Sequence, residues 1–210
     1  MRKSMCITYI VEDKLYVNVT NRCSNRCDFC IRNNGDGAYG SDSLWLEREP
    51  TVEEITASIL SYNLNEFPEL VFCGYGEPSY RLYDIKAAVK NVREVYPELK
   101  VRINTNGHSD LIFGKDTAPD YEGTFDVVSI SLNTPSAEKY QQICHSVYGE
   151  KSFESMLNFA RNVNNYVQKV QFSVVKETLS ADELEECKRI SESAGVTLRV
   201  RDYIPPQSEQ

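Results

Sequence analysis

No segment of this sequence has the composition of a membrane span or of a secretory signal. The longest apolar runs fall well short of the roughly 18 residues that a membrane-spanning helix requires. The chain begins MRK, but Glu12, Asp13 and Lys14 interrupt the apolar residues that follow, too early for the hydrophobic region of a signal peptide. We therefore expect a cytoplasmic protein that does not bind a membrane.

Positive charge is also scarce. The 210 residues include 31 acidic residues against 23 lysines and arginines, which gives a formal net charge of -8. Proteins that bind nucleic acid through its phosphates usually carry an excess of basic residues, so this composition does not favour nucleic acid as a partner. The length suits one buried core, and we predict a single domain over residues 1–210.

A second cysteine pair, which would complete a structural zinc site, is missing. Cys23, Cys27 and Cys30 form a C-x3-C-x2-C motif in the segment CSNRCDFC, and the other four cysteines stand alone in the chain. Structural zinc sites are closed by four protein ligands. Three thiolates can instead hold three irons of a four-iron cluster and leave the fourth iron open to a chelating ligand. We favour the cluster over the alternatives, a zinc site or free thiols in a reducing compartment.

Strand-like and amphipathic segments alternate along the whole chain, as is typical of βα units with a parallel sheet. The predicted strands are 15–19, 70–73, 101–104, 127–132, 170–175 and 197–201. Six units fall short of the eight of a closed TIM barrel. We therefore predict an α/β fold, a partial, open (βα)6 TIM-like barrel of parallel strands. Residues 1–14 could add a hairpin strand, and residues 31–50 read as a long loop.

Two helix starts can be recognised from their capping residues. Thr51 with Glu54, and Ser180 with Glu183, have the capping-box spacing, in which the side chain of each residue satisfies a backbone N–H group of the other. The sequence therefore predicts helices that begin directly after residues 51 and 180.

Four segments carry a resemblance to a known family. The cysteine motif follows the first long strand and has Phe29 before its last cysteine. It is followed by VFCGYGEP (71–78), RINTNG (102–107) and SISLN (129–133). Together these segments resemble the radical S-adenosylmethionine (SAM) enzymes. The form GYGEP inserts Tyr75 between two glycines of the usual GGEP motif, and the fifth-strand motif G-x-I-x-G-x-x-E of many members is not evident in VQFSVVKE.

The resemblance implies two cofactors and a set of site residues. A [4Fe-4S] cluster would be bound by Cys23, Cys27 and Cys30, and SAM would bind the open iron. Residues that match the SAM-binding segments of the family are Phe29, Gly74, Tyr75, Gly76, Glu77, Pro78, Asn104, Ser131 and Asn133. Glu77 would meet the amino group of SAM, as suits a carboxylate beside a cationic amine.

The joint pattern is most similar to the small TatD-associated radical SAM proteins. This similarity rests on LYVNVTNRCSNRCDFCIRN, LWLEREPT, VFCGYGEP, RINTNG and SISLN, which together extend over nearly the full chain. It implies a functional association with a TatD-type metal-dependent nuclease, and it implies no substrate.

The resemblance also implies a reaction class. The enzyme would reductively cleave SAM to a 5'-deoxyadenosyl radical, which would abstract hydrogen from a small-molecule or nucleotide substrate. A low-potential flavodoxin or ferredoxin would be the reductant, and we hypothesise that Arg22, Arg26 and Arg32 dock it. One alternative is an activase of a glycyl radical protein. An alternative of another class is a non-catalytic iron-sulfur module for electron transfer or sensing, which would not need to bind SAM.

The predicted strands have one apolar and one polar face, which indicates a polar concave interior. Arg102, Arg199 and Arg201 fall on the polar face. We hypothesise that they meet an anionic substrate group or the carboxylate of SAM, with structural ion pairs as the alternative. The polar face comprises Asn18, Arg102, Asn104, Ser129, Ser131, Asn133, Gln171, Ser173, Arg199 and Arg201. The apolar face comprises Val17, Val19, Val101, Ile103, Val128, Ile130, Leu132, Val170, Phe172, Val174, Leu198 and Val200.

The remaining conspicuous residues are isolated in the sequence. We expect Cys73, Cys144 and Cys187 to be small buried residues, with Cys73 the one to test because it adjoins the GYGEP segment. The two histidines, His108 and His145, are expected at the surface or as caps. Trp45 and Leu46 either anchor the long loop or cover a substrate.

Overall fold

The computed structural model describes residues 2–202, which form a seven-stranded sheet whose strands follow one another in chain order. Strand β1 pairs antiparallel with β2, and every later neighbouring pair is parallel. Among the described residues β7 does not pair with β1, so the sheet is open, as predicted. The strands are β1 (Thr8–Val11), β2 (Lys14–Val17), β3 (Leu70–Phe72), β4 (Val101–Thr105), β5 (Val127–Ser131), β6 (Lys169–Val175) and β7 (Thr197–Arg201).

Helices cover one face of this sheet. They are α1 (Val52–Leu60), α2 (Leu82–Arg93), α3 (Ser109–Phe113), α4 (Ala137–Cys144), α5 (Lys151–Val163) and α6 (Ala181–Ser193). Both predicted capping boxes are present, at the starts of α1 and α6. Short 3-10 turns lie at Ile31–Asn33, Leu64–Glu66, Pro78–Arg81, Ala118–Tyr121 and Lys176–Thr178. None of the helices within residues 2–202 has the length and apolar character to cross a membrane.

The six predicted strands are all present, with ends within two residues of those predicted. The predicted hairpin strand is also present as β1, and the turn to β2 is made with Glu12 in a left-handed conformation at φ 55°. Residues 31–50 form the predicted long loop. A single parallel bridge between Ser4 and Leu46 ties this loop to the N-terminal segment.

The alternation of the strand residues is confirmed, with one exception. Residues such as Val17, Ile103, Ile130 and Phe172 are fully buried between the sheet and the helices. Val200 was assigned to the same packed face, but it is 43% exposed. That assignment was wrong because β7 is the last strand of the described sheet, and no described helix follows it to cover its end.

The opposite face of the sheet is polar and concave, and its residues lie in levels set by the strand register. Asn104, Ser129 and Gln171 share one level across β4, β5 and β6. Gln171 donates a 3.2 Å hydrogen bond to the Ser129 hydroxyl, so these two buried side chains are paired with each other. The loops that follow β2, β3 and β4 converge at the carboxyl ends of the strands, where open parallel sheets usually bind ligands.

Candidate cofactor site

The cysteine loop begins directly after β2, and its three thiols are half-buried. The Cys23 sulfur accepts a hydrogen bond from the Asn25 backbone N–H at 3.4 Å, and the Cys30 sulfur accepts one from the Arg32 backbone. Burial is the main cause that raises the pKa of Cys23 to about 12, with the nearby Glu77 carboxylate adding to it. The free thiols are thus held in their protonated form, and a bound cation would be needed to stabilise the thiolates.

Arg32 is the positive charge that acts on all three thiols of this loop. It lowers the pKa of Cys23, Cys27 and Cys30 against the effect of burial. Its guanidinium donates to the carbonyl oxygens of Asn25, at 3.0 Å, and Tyr75, at 3.5 Å, which holds it beside the loop.

The chemistry of this donor set fits an iron-sulfur cluster. Within residues 2–202 no three His, Cys, Asp or Glu side chains are arranged to hold one metal ion. In a cluster each thiolate binds its own iron, so the thiols need not converge on a single point. Backbone N–H groups directed at two sulfurs, and a cation beside all three, are the features that stabilise an anionic cluster in proteins.

The C-terminal end of α4 supports the cysteine loop from one side. The backbone N–H groups of Arg26 and Asp28 donate to the carbonyls of Cys144, at 2.8 Å, and Ile143, at 3.0 Å. A hydrogen bond with the Cys144 thiol is the largest cause that raises the pKa of Cys27. Cys144 is fully buried, as predicted, but its contact with Cys27 was not anticipated, because residues 117 positions apart give no local sequence signal.

His145 and Asn133 make further contacts between α4 and its neighbours: His145 with the cysteine loop, and Asn133 with Cys144. His145 ends α4 as its C-cap, in a left-handed conformation at φ 46°, and its Nε2 lies 2.8 Å from the Asp28 carboxylate. The capping role predicted for this histidine is therefore confirmed. Asn133 follows β5 with φ 62°, and its Nδ2 donates to the Cys144 sulfur at 3.4 Å. Its Oδ1 is buried and has no hydrogen-bond partner among the described residues.

A buried polar network holds the cysteine loop from the other side, with His108 at its centre. The two ring nitrogens of His108 lie 3.1 Å from the Ser24 hydroxyl and 3.3 Å from the Tyr140 hydroxyl. Asn106 donates to Ser24 at 2.8 Å, and Asn25 donates to Tyr140 at 2.9 Å. His108 occupies the N-cap position of α3, one of the two positions expected for it, but its side chain is fully buried and makes no capping hydrogen bond. Burial lowers the pKa of His108 to about 4.

The GYGEP segment packs directly against the cysteine loop, and its two glycines make this packing possible. A Cβ atom on Gly74 would lie 2.1 Å from Oδ1 of Asn18, and one on Gly76 would lie 2.2 Å from the carbonyl oxygen of Thr20. The Glu77 backbone N–H donates to the Arg22 carbonyl at 2.7 Å. The glycines are therefore required by contact between the two segments.

The Glu77 side chain connects GYGEP to the end of β4. Its carboxylate accepts hydrogen bonds from the Thr105 hydroxyl and the Asn106 backbone N–H, each at 2.6 Å, and from the Ser79 backbone N–H at 3.0 Å. Burial raises the pKa of Glu77, while these hydrogen bonds act in the opposite direction. Pro78 is buried and opens the 3-10 turn that leads into α2.

Tyr75 is turned toward the long loop. Its hydroxyl donates to the carbonyl oxygens of Gly35, at 3.0 Å, and Gly37, at 2.8 Å, and its ring packs edge-on against Trp45 with centroids 5.2 Å apart. Leu46 is held by two backbone hydrogen bonds to the side chain of Asn21. In this structure Trp45 and Leu46 therefore anchor the long loop, the first of the two alternatives considered for them.

Three further predicted site residues lie at the edge of this arrangement. Phe29 is half-buried and packs against the main hydrophobic core. Asn104 hydrogen-bonds the Cys73 thiol, and its Oδ1 is buried with no partner among the described residues. Ser131 is half-buried at the end of β5, opposite Ser173 of β6.

Comparison with known proteins identifies the family. The model of the Radical SAM superfamily matches residues 17–198, which include the cysteine loop, GYGEP and the strands that carry them. The chain belongs to the Radical SAM superfamily. Members of this superfamily generally bind a [4Fe-4S] cluster and SAM.

Curated relatives are longer than this chain. It is 24% identical over 204 residues to "Molybdenum cofactor biosynthesis protein 1" of Dictyostelium discoideum, a match that covers 94% of this chain and 30% of that protein. It is 29% identical over 133 residues to "GTP 3',8-cyclase" of Lactiplantibacillus plantarum, which covers 63% of this chain and 37% of that protein. The chain thus spans less than half the length of these relatives.

Solved structures of superfamily members share the fold. Streptococcus suis SuiB, in complex with its precursor peptide SuiA, has a TM-score of 0.65 at 17% identity, and the match covers 91% of this chain and 39% of that one. A radical SAM methyltransferase from Sphaerobacter thermophilus has a TM-score of 0.61 at 16% identity, with 93% and 68% covered. These similarities support the partial TIM-like barrel.

The arginines predicted for the polar interior differ in their surroundings. Arg102 is buried, pairs with Glu69 at 3.3 Å and donates to the Tyr16 hydroxyl at 3.4 Å. Arg199 and Arg201 have no acidic partner among the described residues. Arg102 therefore forms a structural ion pair, which was the alternative to binding an anionic group of the substrate or SAM.

The arginines proposed to dock a reductant also differ. Arg22 forms a two-bonded ion pair with Glu49, at 2.7 and 3.1 Å, and lies over the Tyr80 ring. Arg32 is turned inward to the two carbonyls described above. Arg26 is exposed and free of ion pairs within the described part of the chain. Of the three arginines, Arg26 is thus the most accessible to a partner.

Proposed function

We propose that this protein is a radical SAM enzyme that cleaves SAM reductively and abstracts hydrogen from a small-molecule or nucleotide substrate. A [4Fe-4S] cluster bound by Cys23, Cys27 and Cys30 would supply the electron, and SAM would supply the 5'-deoxyadenosyl radical. The observation that carries the proposal is the direct packing of GYGEP on the cysteine loop, through Gly74, Gly76 and the Glu77 backbone. The segment assigned to SAM and the segment assigned to the cluster therefore form one unit.

Polar atoms without partners surround this unit. Asn104 Oδ1 and Asn133 Oδ1 are both buried and unpaired within residues 2–202, although buried acceptors are almost always paired in folded proteins. Each could accept a hydrogen bond from an ammonium or hydroxyl group of SAM. Oε2 of Glu77 accepts one hydrogen bond, from Asn106, and so retains a lone pair for the SAM amine.

The relatives suggest which substrates to test first. Two curated relatives are named GTP 3',8-cyclase, at 29% and 27% identity, and each match covers 37% of the relative's length. We infer that a purine nucleotide is a reasonable first candidate. A low-potential flavodoxin or ferredoxin would be the reductant. The association with a TatD-type nuclease rests on the sequence pattern alone and would be tested by co-purification.

The test of this function is anaerobic production of 5'-deoxyadenosine. The cluster is reconstituted and reduced with dithionite, SAM is added with and without GTP, and the product is quantified by mass spectrometry. We expect product from the wild type and from Cys187→Ala, whose cysteine lies buried in α6 away from the cysteine loop, and none from Cys27→Ala.

Two other results would favour a different function. Product that appears only when a glycyl radical protein is added would favour the activase. A reduced cluster that neither binds SAM nor yields 5'-deoxyadenosine with any candidate would contradict the proposed function and favour an electron-transfer or sensing module.

A further inference from the structure

The two arginines of β7 have no acidic partner among residues 2–202, although Arg199 is exposed and Arg201 is half-buried. Three arginines with little exposed surface have acidic partners: Arg81 pairs with Asp84, Arg93 with Asp126, and Arg102 with Glu69. The half-buried Arg32 instead donates to two backbone carbonyls. Arg201 is half-buried, and its Nε is fully buried without a hydrogen-bond partner among residues 2–202. This is unexpected in a chain with 31 acidic residues and a net charge of -8.

The strand register places both arginines on the polar concave face. Arg199 lies opposite Ser173 of β6, and Arg201 lies opposite Val175, at the carboxyl end of β7. Ser173 in turn lies opposite Ser131 of β5. Because side chains alternate along a strand, Arg199 and Arg201 extend on the side that carries Ser131 and Ser173.

Among the described residues, the groups close to these arginines are hydroxyls and a thiol rather than carboxylates. Arg201 lies within electrostatic range of Cys73, Tyr16 and Tyr39, and Arg199 acts on Tyr16. Burial lowers the pKa of Arg201, and the charge of Arg199 adds to that effect. Arginine stays protonated nonetheless, so a positive charge is held here with no carboxylate partner within residues 2–202.

This region is distinct from the surroundings of the cluster thiols. Arg32 is the cation that acts on all three cluster cysteines, whereas Arg201 acts on Cys73 and Tyr39. Tyr39 is 45% exposed and belongs to the long loop, so the region opens to solvent on the side of that loop.

We propose that Arg199 and Arg201 bind an anionic group of the substrate, a phosphate or a carboxylate, at the carboxyl end of β7. The hydroxyls of Tyr16 and Tyr39 are the neighbouring hydrogen-bond donors. Guanidinium groups bind both anions through paired N–H donors, and an anion at this position neutralises a partly buried charge. The assignment of this anion to the substrate rests on the proposed function. Anion binding at this position is independent of it.

The test measures anion binding by calorimetry on the cluster-loaded protein with SAM present. The probes are inorganic pyrophosphate and glutarate, which separate a phosphate site from a carboxylate site. We expect one of them to bind in the wild type with salt-sensitive affinity, and Arg201→Gln to weaken that binding about tenfold. Arg189→Gln, which removes an exposed arginine of α6, should leave it unchanged. Absence of binding by both probes at millimolar concentration, or equal binding in Arg199→Gln/Arg201→Gln, would overturn the proposal.

Measurements on the same variants separate this proposal from the proposed function. SAM affinity should be unchanged in Arg201→Gln. If SAM affinity falls in parallel with anion binding, the arginines bind the SAM carboxylate and the substrate assignment is overturned. If the wild type forms no 5'-deoxyadenosine but still binds the probe through Arg201, the anion site is supported and the radical function fails.

Discussion

The backbone N–H of Asn106 donates a 2.6 Å hydrogen bond to the buried carboxylate of Glu77. This contact joins the loop after β3 to the loop after β4. The Asn106 side chain then donates to Ser24, next to Cys23. Three loops that are far apart in the sequence are therefore held together by one short chain of hydrogen bonds.

Replacement of Glu77 by glutamine should weaken this connection. An amide cannot accept from Ser79, Thr105 and Asn106 as a carboxylate does, and at least one buried N–H group would lose its acceptor. We expect a loss of about 1 to 3 kcal/mol in the free energy of unfolding and a weaker affinity for SAM. Urea unfolding and SAM titration would measure both. Glu192→Gln, at an exposed position of α6, should change neither, and equal values for the two variants would contradict the role given to Glu77.

Replacement of Gly76 by alanine should disrupt the contact between GYGEP and the cysteine loop. The new Cβ would lie 2.2 Å from the Thr20 carbonyl oxygen, so one of the two backbone segments would have to move. We expect a loss of about 3 kcal/mol or more and a lower iron content after reconstitution. Gly123→Ala is the control, since its Cβ meets no atom within 4 Å and its φ of 67° alone costs about 1 kcal/mol. Equal losses of stability and iron content in Gly76→Ala and Gly123→Ala would contradict a role for the close approach at Gly76.

Replacement of Arg32 by glutamine should lower the reduction potential of the cluster. The Arg32 charge favours the more negative, reduced state, and an interaction of about 1 kcal/mol corresponds to about 40 mV for one electron. Arg32→Lys keeps the charge and should retain most of the potential. An EPR-monitored redox titration would measure it. An unchanged or higher potential in Arg32→Gln would contradict this role.

His108 should make stability depend on pH. Its pKa is about 4 in the folded protein against an ordinary value of 6.5, so between these values the unfolded chain binds a proton that the folded protein does not. Stability from this residue is complete above pH 6.5 and falls as the pH decreases toward 4. Between pH 7 and pH 5 we expect a loss of about 2 kcal/mol.

Urea unfolding of the cluster-free protein at the two pH values would measure this loss. The comparison with His108→Gln isolates the histidine from the carboxylates that titrate in the same range. An identical pH dependence in the wild type and the variant would contradict the prediction.

The elements of the fold could be predicted because their signals are local. Period-two alternation marked the six later strands, and the pairs Thr51 with Glu54 and Ser180 with Glu183 marked two helix starts. Val200 was misplaced because alternation shows which side of a strand a residue occupies, but not whether a helix covers that side. In β7, Leu198 packs against the core, whereas Val200 near the end of the strand is exposed.

The supporting contacts of the site could not be predicted because they join distant residues. The contact of Cys144 with Cys27 and the burial of His108 between Ser24 and Tyr140 depend on how α4 and the loop after β4 pack on the cysteine loop. Tyr75 was assigned with the SAM-binding segment, yet its side chain holds the long loop, because a motif match gives the position of a residue but not the direction of its side chain.

The assignment as a whole depends on whether SAM binds the open iron of a three-cysteine cluster. EPR spectra of the reduced, reconstituted protein with and without SAM test this most directly, with SAM carrying nitrogen-15 in its amino group for ENDOR. We predict that SAM changes the cluster's g values and that coupling to the labelled nitrogen appears. An intact reduced cluster whose spectrum is unaffected by saturating SAM would contradict the assignment.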